Sequence, residues 1–445
     1  MRAFQAAQLE LGVGVPRGGR VFVYVVVEWK MAQRKTYKST ADVLEPVTAD
    51  SASEDAETDS ETDDQLSSDD DDASSSSDNA DEPAVRKRKV VRSSVGSSED
   101  GGWTDVQQRT VDPLVFTGNS GITTPVQSEE PLTFFEEFVA ESLTDLMVME
   151  RNRYATQMTS REGLSPFSRM HKWVQTTVAE LMVYFSLLIL MGIDRRPKIS
   201  MYWSRDFLVN MPSFSALMPR DRFLLIRRFL HFVDNNDYER GVSGKLFKIK
   251  PVIEYFQNTF KRLFQPGRFF AVDESLLLWK GRLSWKQYIP NKRSRFGIKS
   301  FELCDSNTSY LWNFIIYSGR ETDLDADRTH AQGTKVVMRL ANDLLGVGRC
   351  CVTDNFYSSP ELFSLPQDNN TDAFGTCRLN RKGMSSVLTR SKLKKGDVVA
   401  KCKGRLLAVR WKDKRDVCML STYHKGIMCD SGKKIRKEML FRNRM

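Results

Sequence analysis

Residues 269–273 read Phe269-Phe270-Ala271-Val272-Asp273, an apolar run that opens after Pro266-Gly267 and ends in a carboxylate. A short apolar run bounded by a turn signal predicts a buried strand. The same pattern returns at Arg349-Cys350-Cys351-Val352-Thr353-Asp354, which also closes on an aspartate. Between the two, Ile298–Cys304 and Tyr310–Tyr317 are β-rich and are separated by the turn-prone Asp305-Ser306-Asn307. Thr334–Leu345 has helical spacing closed by Gly346, a second helix starts near Ser359-Pro360, and Ala373–Cys377 supplies a fifth strand. The order β-β-β-α-β-α-β predicts an α/β domain whose single mixed sheet carries both aspartates.

Asp273 and Asp354 are distant in sequence but meet if their strands are neighbours. Two carboxylates on adjacent strand ends suit Mg²⁺, a hard cation that takes oxygen ligands and keeps several waters. Such ions act on the attacking and leaving oxygens of a phosphodiester. Lys280, Arg282, Lys286, Lys292, Arg293, Arg295 and Lys299 lie between the two aspartates and are suited to neutralising DNA phosphates. On these grounds alone the pattern is not specific, because aspartates end many strands as turn or cap residues.

Upstream, residues 131–265 read as all-helical. Thr133 and Glu136 have capping-box spacing. Phe134, Phe135, Phe138, Val139, Leu143, Leu146 and Met147 recur as one helical face, and Thr177–Met191 and Arg220–Phe232 predict further helices. Downstream, within residues 379–437, Asp397–Lys401, Leu406–Trp411 and Val417–Thr422 predict a small basic β-rich module. Residues 438–445 belong to neither pattern.

Residues 1–130 read as a disordered tail, with order expected to begin near Pro131. Its stretch 41–84 holds 17 Asp or Glu and no Lys or Arg. Residues 1–40 carry +5 and the chain as a whole +9, so residues 85–445 carry +21. A body this basic suits a polyanion such as nucleic acid. Inside the tail, Arg86, Lys87, Arg88 and Lys89 form a basic cluster of the kind that directs nuclear import. The seven cysteines contain no C-x-x-C pair and there are only four histidines, so no zinc site is expected and a reducing compartment fits best. The apolar run 181–193 is 13 residues long, too short to span a bilayer, which needs about 20. No membrane association is expected.

Several blocks resemble piggyBac-type DNA transposases. Ala271-Val272-Asp273-Glu274-Ser275, Lys280-Gly281-Arg282, Tyr288-Ile289-Pro290-Asn291-Lys292 and Phe296-Gly297-Ile298-Lys299 are similar to the catalytic region of that family. Val352-Thr353-Asp354-Asn355-Phe356-Tyr357 and Gly375-Thr376-Cys377-Arg378-Leu379-Asn380-Arg381 resemble its later blocks. Glu150-Arg151-Asn152-Arg153-Tyr154-Ala155, Met191-Gly192-Ile193 and Tyr202-Trp203-Ser204 resemble its helical dimerisation and DNA-binding domain, while 394–396 and 411–417 resemble its insertion domain. The resemblance runs in order from about 131 to 437. It implies an RNase H-like core at 266–378 that cuts and joins DNA, with Asp273 and Asp354 as catalytic metal ligands. It also implies Lys280 and Arg282 near the active site, Arg378 and Arg381 on target DNA, and a homodimer.

The departures are as informative. The family carries a third catalytic Asp in a Gly-Gly-Val-Asp block after the insertion domain, where this sequence has 438–445 instead. Asp430 precedes that place without its context. The cysteine-rich end-reading module also has no counterpart, so the expectation is a DNA-associated protein without strand-cutting activity, or one that acts only as a longer chain. Glu274 and Asp305 are the substitutes to weigh for the third ligand, and Glu274 should face away from Asp273 because neighbours on a strand alternate. Without a helix bearing the third carboxylate, Leu303 and Ile315 are expected on an uncovered sheet face that favours aggregation.

Overall fold

The computed structural model describes residues 100–106, 111–125, 130–290, 295–319, 322, 324 and 329–426. All of them fall in one compact unit. The acidic stretch 41–84, the basic cluster 86–89, Lys292, Arg293 and residues 427–445 lie outside the described residues.

The chain enters the fold earlier than its composition suggests. β1 (Thr104–Asp105) pairs with a strand near the end of the chain, and β2 (Gly121–Ile122) pairs with β3 (Phe264–Gln265). Trp103 is 2% exposed and its indole nitrogen donates to the Gly383 carbonyl at 3.0 Å. The Leu114 amide donates to buried Asp372, and Arg268 donates to the Leu114 carbonyl. The expectation that residues up to 130 form a disordered tail is therefore corrected for 100–106 and 111–125. The segment has few apolar residues, and its order comes from partners about 140 or more positions away, which a local window cannot see.

The helical region comprises α1 (Pro131–Phe138), α2 (Glu141–Thr159), α3 (Val178–Ile193), α4 (Pro212–Leu217), α5 (Arg220–Phe229) and α6 (Lys250–Leu263). One expected helix is split into α1 and α2, because Ala140 is extended and its amide donates to the Tyr255 hydroxyl at 3.0 Å. Thr133 is not a cap: Glu130 occupies the N-cap position and Pro131 opens the helix, where its missing N–H costs nothing. Thr177 does cap α3, accepting from the Glu180 amide. Val252, Phe256, Phe260 and Leu263 form the buried stripe of α6. That helix is tied to the sheet by Gln257, which donates to the Phe314 carbonyl at 2.6 Å, and by Tyr310, which donates to the Phe260 carbonyl at 3.1 Å.

The sheet is built on β4 (Phe269–Leu278), with β5 (Gln287–Tyr288), β6 (Phe296–Asp305), β7 (Leu311–Ile316), β8 (Cys350–Thr353) and β9 (Asp372–Thr376). β4, β6 and β7 form an antiparallel meander, while β8 lies parallel to β4 and β9 parallel to β8. The spatial order β7-β6-β4-β8-β9 is that of an RNase H-like core. α7 (Gln332–Ala341) and α8 (Pro360–Asp368) supply the crossovers. One face of the sheet packs Leu277, Ile298, Phe314 and Ile316 against the helical region. The other packs Phe270, Val272, Phe301 and Leu303 against Val336, Val337, Leu340, Leu362 and Phe363 of α7 and α8. Leu303 is fully buried and Ile315 packs against the same cluster, which corrects the expectation of an uncovered face. The two crossover helices cover it.

The β-rich run downstream is present as β10 (Val398–Lys403), β11 (Leu406–Lys412) and β12 (Asp416–Ser421), after the short α9 (Ser386–Arg390). Its strands continue the core sheet, because β12 pairs antiparallel with β9 and β1 closes the far edge on β10. The result is one ten-stranded sheet. No described helix is long and apolar enough to cross a membrane.

Candidate active site on two neighbouring strands

Parallel pairing sets Val272 opposite Thr353, so Asp273 and Asp354 are the next residues along two neighbouring strands. Adjacent strands lie about 4.8 Å apart, so the topology brings the two expected carboxylates together. Asp273 does not end its strand as expected: β4 runs on to Leu278, and Asp273 lies within it, directly opposite Glu302 of β6. Asp354 has left β8 and starts a turn, in which its carboxylate accepts from the Phe356 amide at 2.9 Å and its carbonyl accepts from the Ser358 amide.

The turn is braced from below and from the side. The Ser358 hydroxyl meets that of Thr353 at 2.8 Å, and the Cys377 thiol donates to the Ser358 carbonyl. Gly375 of β9 lies opposite Thr353, and a Cβ there would sit 2.0 Å from the Thr353 carbonyl oxygen, so only glycine lets the strands close. Arg381 Nη2 donates to the carbonyls of Asn355 and Phe356.

Negative charge converges at this point. Burial pushes the Asp354 carboxyl above the usual carboxylate range, and Glu274 and Asp273 push it the same way against the amides of Phe356 and Tyr357. Glu274 does occupy the opposite face from Asp273, since it pairs across the sheet with Phe301 while Asp273 pairs with Glu302. Its charge still reaches Asp354, because Asp354 turns out of the strand instead of keeping to one face. Tyr357 is 1% exposed and feels Glu274, Asp273, Asp354 and Glu302 together, which with burial holds its phenol protonated. Its hydroxyl finds no hydrogen-bond partner among the described residues.

Asp305 is not a substitute ligand. It is 1% exposed and caps a turn, accepting from the amides of Gly267, Asn307 and Thr308 and from the Thr308 hydroxyl. Among the described residues no group of three or more His, Cys, Asp or Glu side chains is placed to hold a metal ion. Asp430 lies outside the described residues.

The basic residues divide into two sets. Lys280 and Arg282 are exposed and follow the end of β4, which carries the chain about 17 Å beyond Asp273. Lys299 holds its ammonium 4.9 Å from the Phe301 ring centre and 5.0 Å from that of Phe356, two residues past Asp354. Arg378 is exposed at the end of β9, whereas Arg381 is half-buried against the Asp354 turn. Beside that turn opens a cleft of about 660 Å³, whose lining includes Phe356, Arg381, Lys382 and Lys403. Sequence reading missed Glu302 and Tyr357 as members of the site. Strand alternation would have placed Glu302 only once the register with Asp273 was known.

This sheet, with Asp273 inside β4 and Asp354 just past the end of its parallel neighbour β8, defines a DDE-type transposase core. The Transposase IS4 family matches residues 130–443, and the chain belongs to that family, in its piggyBac-type branch. It is similar to the human (Homo sapiens) PiggyBac transposable element-derived protein 3, at 25% identity over 300 residues, which is 66% of this chain and 48% of the relative. Human PiggyBac transposable element-derived protein 2 is 26% identical over 272 residues, 60% of this chain and 43% of the relative. The chain thus spans about half the length of the curated relatives it matches. A solved piggyBac transposase, in a synaptic complex with hairpin DNA, superposes with a TM-score of 0.61 at 25% identity, covering 72% of this chain and 66% of that one.

Proposed function

We propose that this chain is a nuclear, DNA-associated protein that docks duplex phosphates on the basic surface around the Asp273–Asp354 pair, works as a dimer, and does not itself cut the strand. The observation that carries the reading is the site's composition. Two carboxylates stand side by side on neighbouring strands, cationic groups of Arg381 and Lys299 frame the Asp354 turn, and no third ligand joins them among the described residues.

The donor set suits a Mg²⁺ ion that keeps most of its waters, held by Asp273 and Asp354. Crowded negative charge on Asp354 and the buried Tyr357 hydroxyl are what a cation there would relieve. When bound, such an ion polarises a phosphodiester and stabilises charge on its oxygens. The chain's own part is to fix the carboxylates. Arg381 holds the turn, Thr353 and Ser358 anchor its base, and Lys299 offers positive charge at its rim. Arg378, Lys280 and Arg282 add exposed cations for phosphates further along the duplex.

Duplex binding measured by fluorescence anisotropy at rising salt tests the first part. Affinity is expected to fall roughly a thousandfold between 50 and 200 mM salt, with little sequence preference. A chain that ignores DNA at low salt sinks the proposal. Cleavage of labelled DNA in Mg²⁺ tests the second part, and no product is expected. Cutting that Asp273→Ala abolishes would instead establish the second reading, an active transposase, which the side-by-side placement of Asp273 and Asp354 on neighbouring strands favours.

A further inference from the structure

The sheet brings two cysteines face to face. Thr376 of β9 stands opposite Met419 of β12, so the next residues outward, Cys377 and Cys418, are also opposite each other. The Cys377 amide donates to the Cys418 carbonyl at 2.9 Å, which extends the antiparallel ladder by that one pair. Directly opposite residues share a face of the sheet. Cys377 packs in the cluster under α7 and α8, and Cys418 is two residues from Leu420 of that cluster, so both thiols lie on this face. No other described cysteine stands opposite a cysteine. Cys304 pairs with Ala271 and Leu311, Cys350 with Phe269 and Asp372, Cys351 with Phe270 and Ala373, and Cys402 with Thr104 and Leu407.

A hydrogen-bonded antiparallel pair holds its Cα atoms about 5.5 Å apart. Disulfides span Cα separations of roughly 4.4–6.8 Å, so joining these thiols asks for side-chain rotation and no movement of either strand. Neither is sealed off, at 6% and 5% exposed. Burial pushes the Cys418 thiol up to about 12, with the charge of Cys377 acting in the same direction, and the Cys377 thiol to about 11, where Arg381 pulls it back. The resting state is therefore the pair of protonated thiols, and Cys377, the easier to ionise, reacts first.

We propose that Cys377 and Cys418 form a modification site that closes into a cross-strand disulfide under sustained hydroperoxide. The Cys377 thiolate attacks one oxygen of hydrogen peroxide, the O–O bond breaks, and the leaving hydroxide takes up a proton as water. The Cys418 sulfur then attacks the sulfenic acid so formed. Its S–S bond forms, the S–O bond breaks, and the Cys418 proton leaves with the hydroxide as a second water. Two thiols thus give up two protons and two electrons to one peroxide. The bond also reaches the carboxylate site. In the reduced chain the Cys377 thiol donates to the Ser358 carbonyl at 3.4 Å, and the Ser358 amide closes the turn that begins at Asp354. Oxidation removes that donor and loosens the turn.

The test treats the full chain with hydrogen peroxide, blocks remaining thiols with N-ethylmaleimide in denaturant, and reads the digest by mass spectrometry. Two peptides joined through Cys377 and Cys418, lighter by two hydrogens and released by dithiothreitol, are expected. They should be missing from Cys418→Ser, in which Cys377 halts as a sulfenic acid that dimedone traps. If Cys418→Ser does not fold, the joined peptides of the native chain decide alone. Hydrogen exchange at the Ser358 amide should be roughly threefold faster in the oxidised chain. These readouts follow the thiols and the turn themselves, so they stand apart from whether the chain binds DNA. Both cysteines still open to blocking after prolonged peroxide, or bridges only between other cysteines, would overturn the proposal, and an unchanged Ser358 rate would overturn its link to the turn.

Discussion

Arg381 Nη2 donates to the carbonyl oxygen of Asn355 at 2.9 Å, so a side chain leaving the sheet after β9 braces the turn that begins at Asp354. The same nitrogen also reaches the Phe356 carbonyl. Arg378, three residues earlier, is exposed at the end of the strand. Two arginines of one motif thus occupy different environments, which gives them separable roles.

Arg381→Ala is expected to lower stability by about 1–2 kcal/mol, because the exposed Asn355 carbonyl and the half-buried Phe356 carbonyl lose a charged donor. Arg378→Ala should leave urea unfolding within about 0.5 kcal/mol of the native chain. In the anisotropy assay it should reduce the salt slope by about one. Equal effects of the two substitutions on unfolding would contradict the bracing role.

Gly375→Ala places a methyl group 2.0 Å from the Thr353 carbonyl oxygen and 2.7 Å from the Ser358 hydroxyl. Backbone on a paired strand cannot move aside, so a loss of about 3 kcal/mol is expected. Gly192→Ala is the contrast, with open space around the added carbon near the end of α3. It should be neutral or stabilising by up to about 1 kcal/mol. Denaturant titration of the two variants reads the difference directly.

Asp100 supplies the pH dependence. Burial alone would raise its carboxyl, but the side chain and amide of Ser386, the Ser385 hydroxyl and the Val387 amide hydrogen-bond its charged form and hold it below the usual range. A depressed folded-state value contributes stability above the unfolded pKa, about 3.9, and loses it as pH falls through the folded value. Asp100→Asn should therefore destabilise the chain at pH 7, and the difference should shrink steadily below pH 4. A difference that stays constant down to pH 2.5 would show that the carboxylate charge has no part in it.

Much of the core was legible because its signals are local. Apolar runs closing on Asp273 and Asp354 marked two strands, and the motif blocks around them carried the family resemblance. The helices at 178–193 and 220–229 followed their apolar spacing to within a few residues. The site was less legible. Glu302 enters it through cross-strand register and Tyr357 through a buried ring. The charge of Glu274 counts there because Asp354 bends out of its strand. None of these is a property of a short window.

The sequence by itself determined the α/β class, the two strands that carry Asp273 and lead to Asp354, and the basic excess of the body, since each depends on residue type and on spacing within a few positions. Tertiary structure decided that residues 100–106 and 111–125 belong to the fold, with Trp103 seated beside Gly383 and β1 on the edge of β10. It decided that the downstream β-strands extend the core sheet through β12 and β9. It also decided that Arg381 braces a turn and that Arg151 is sealed from water. The physical reason is common to all four. Pairing and burial are relations between residues far apart in the chain, and a sheet edge or a buried charge exists only after those residues have met.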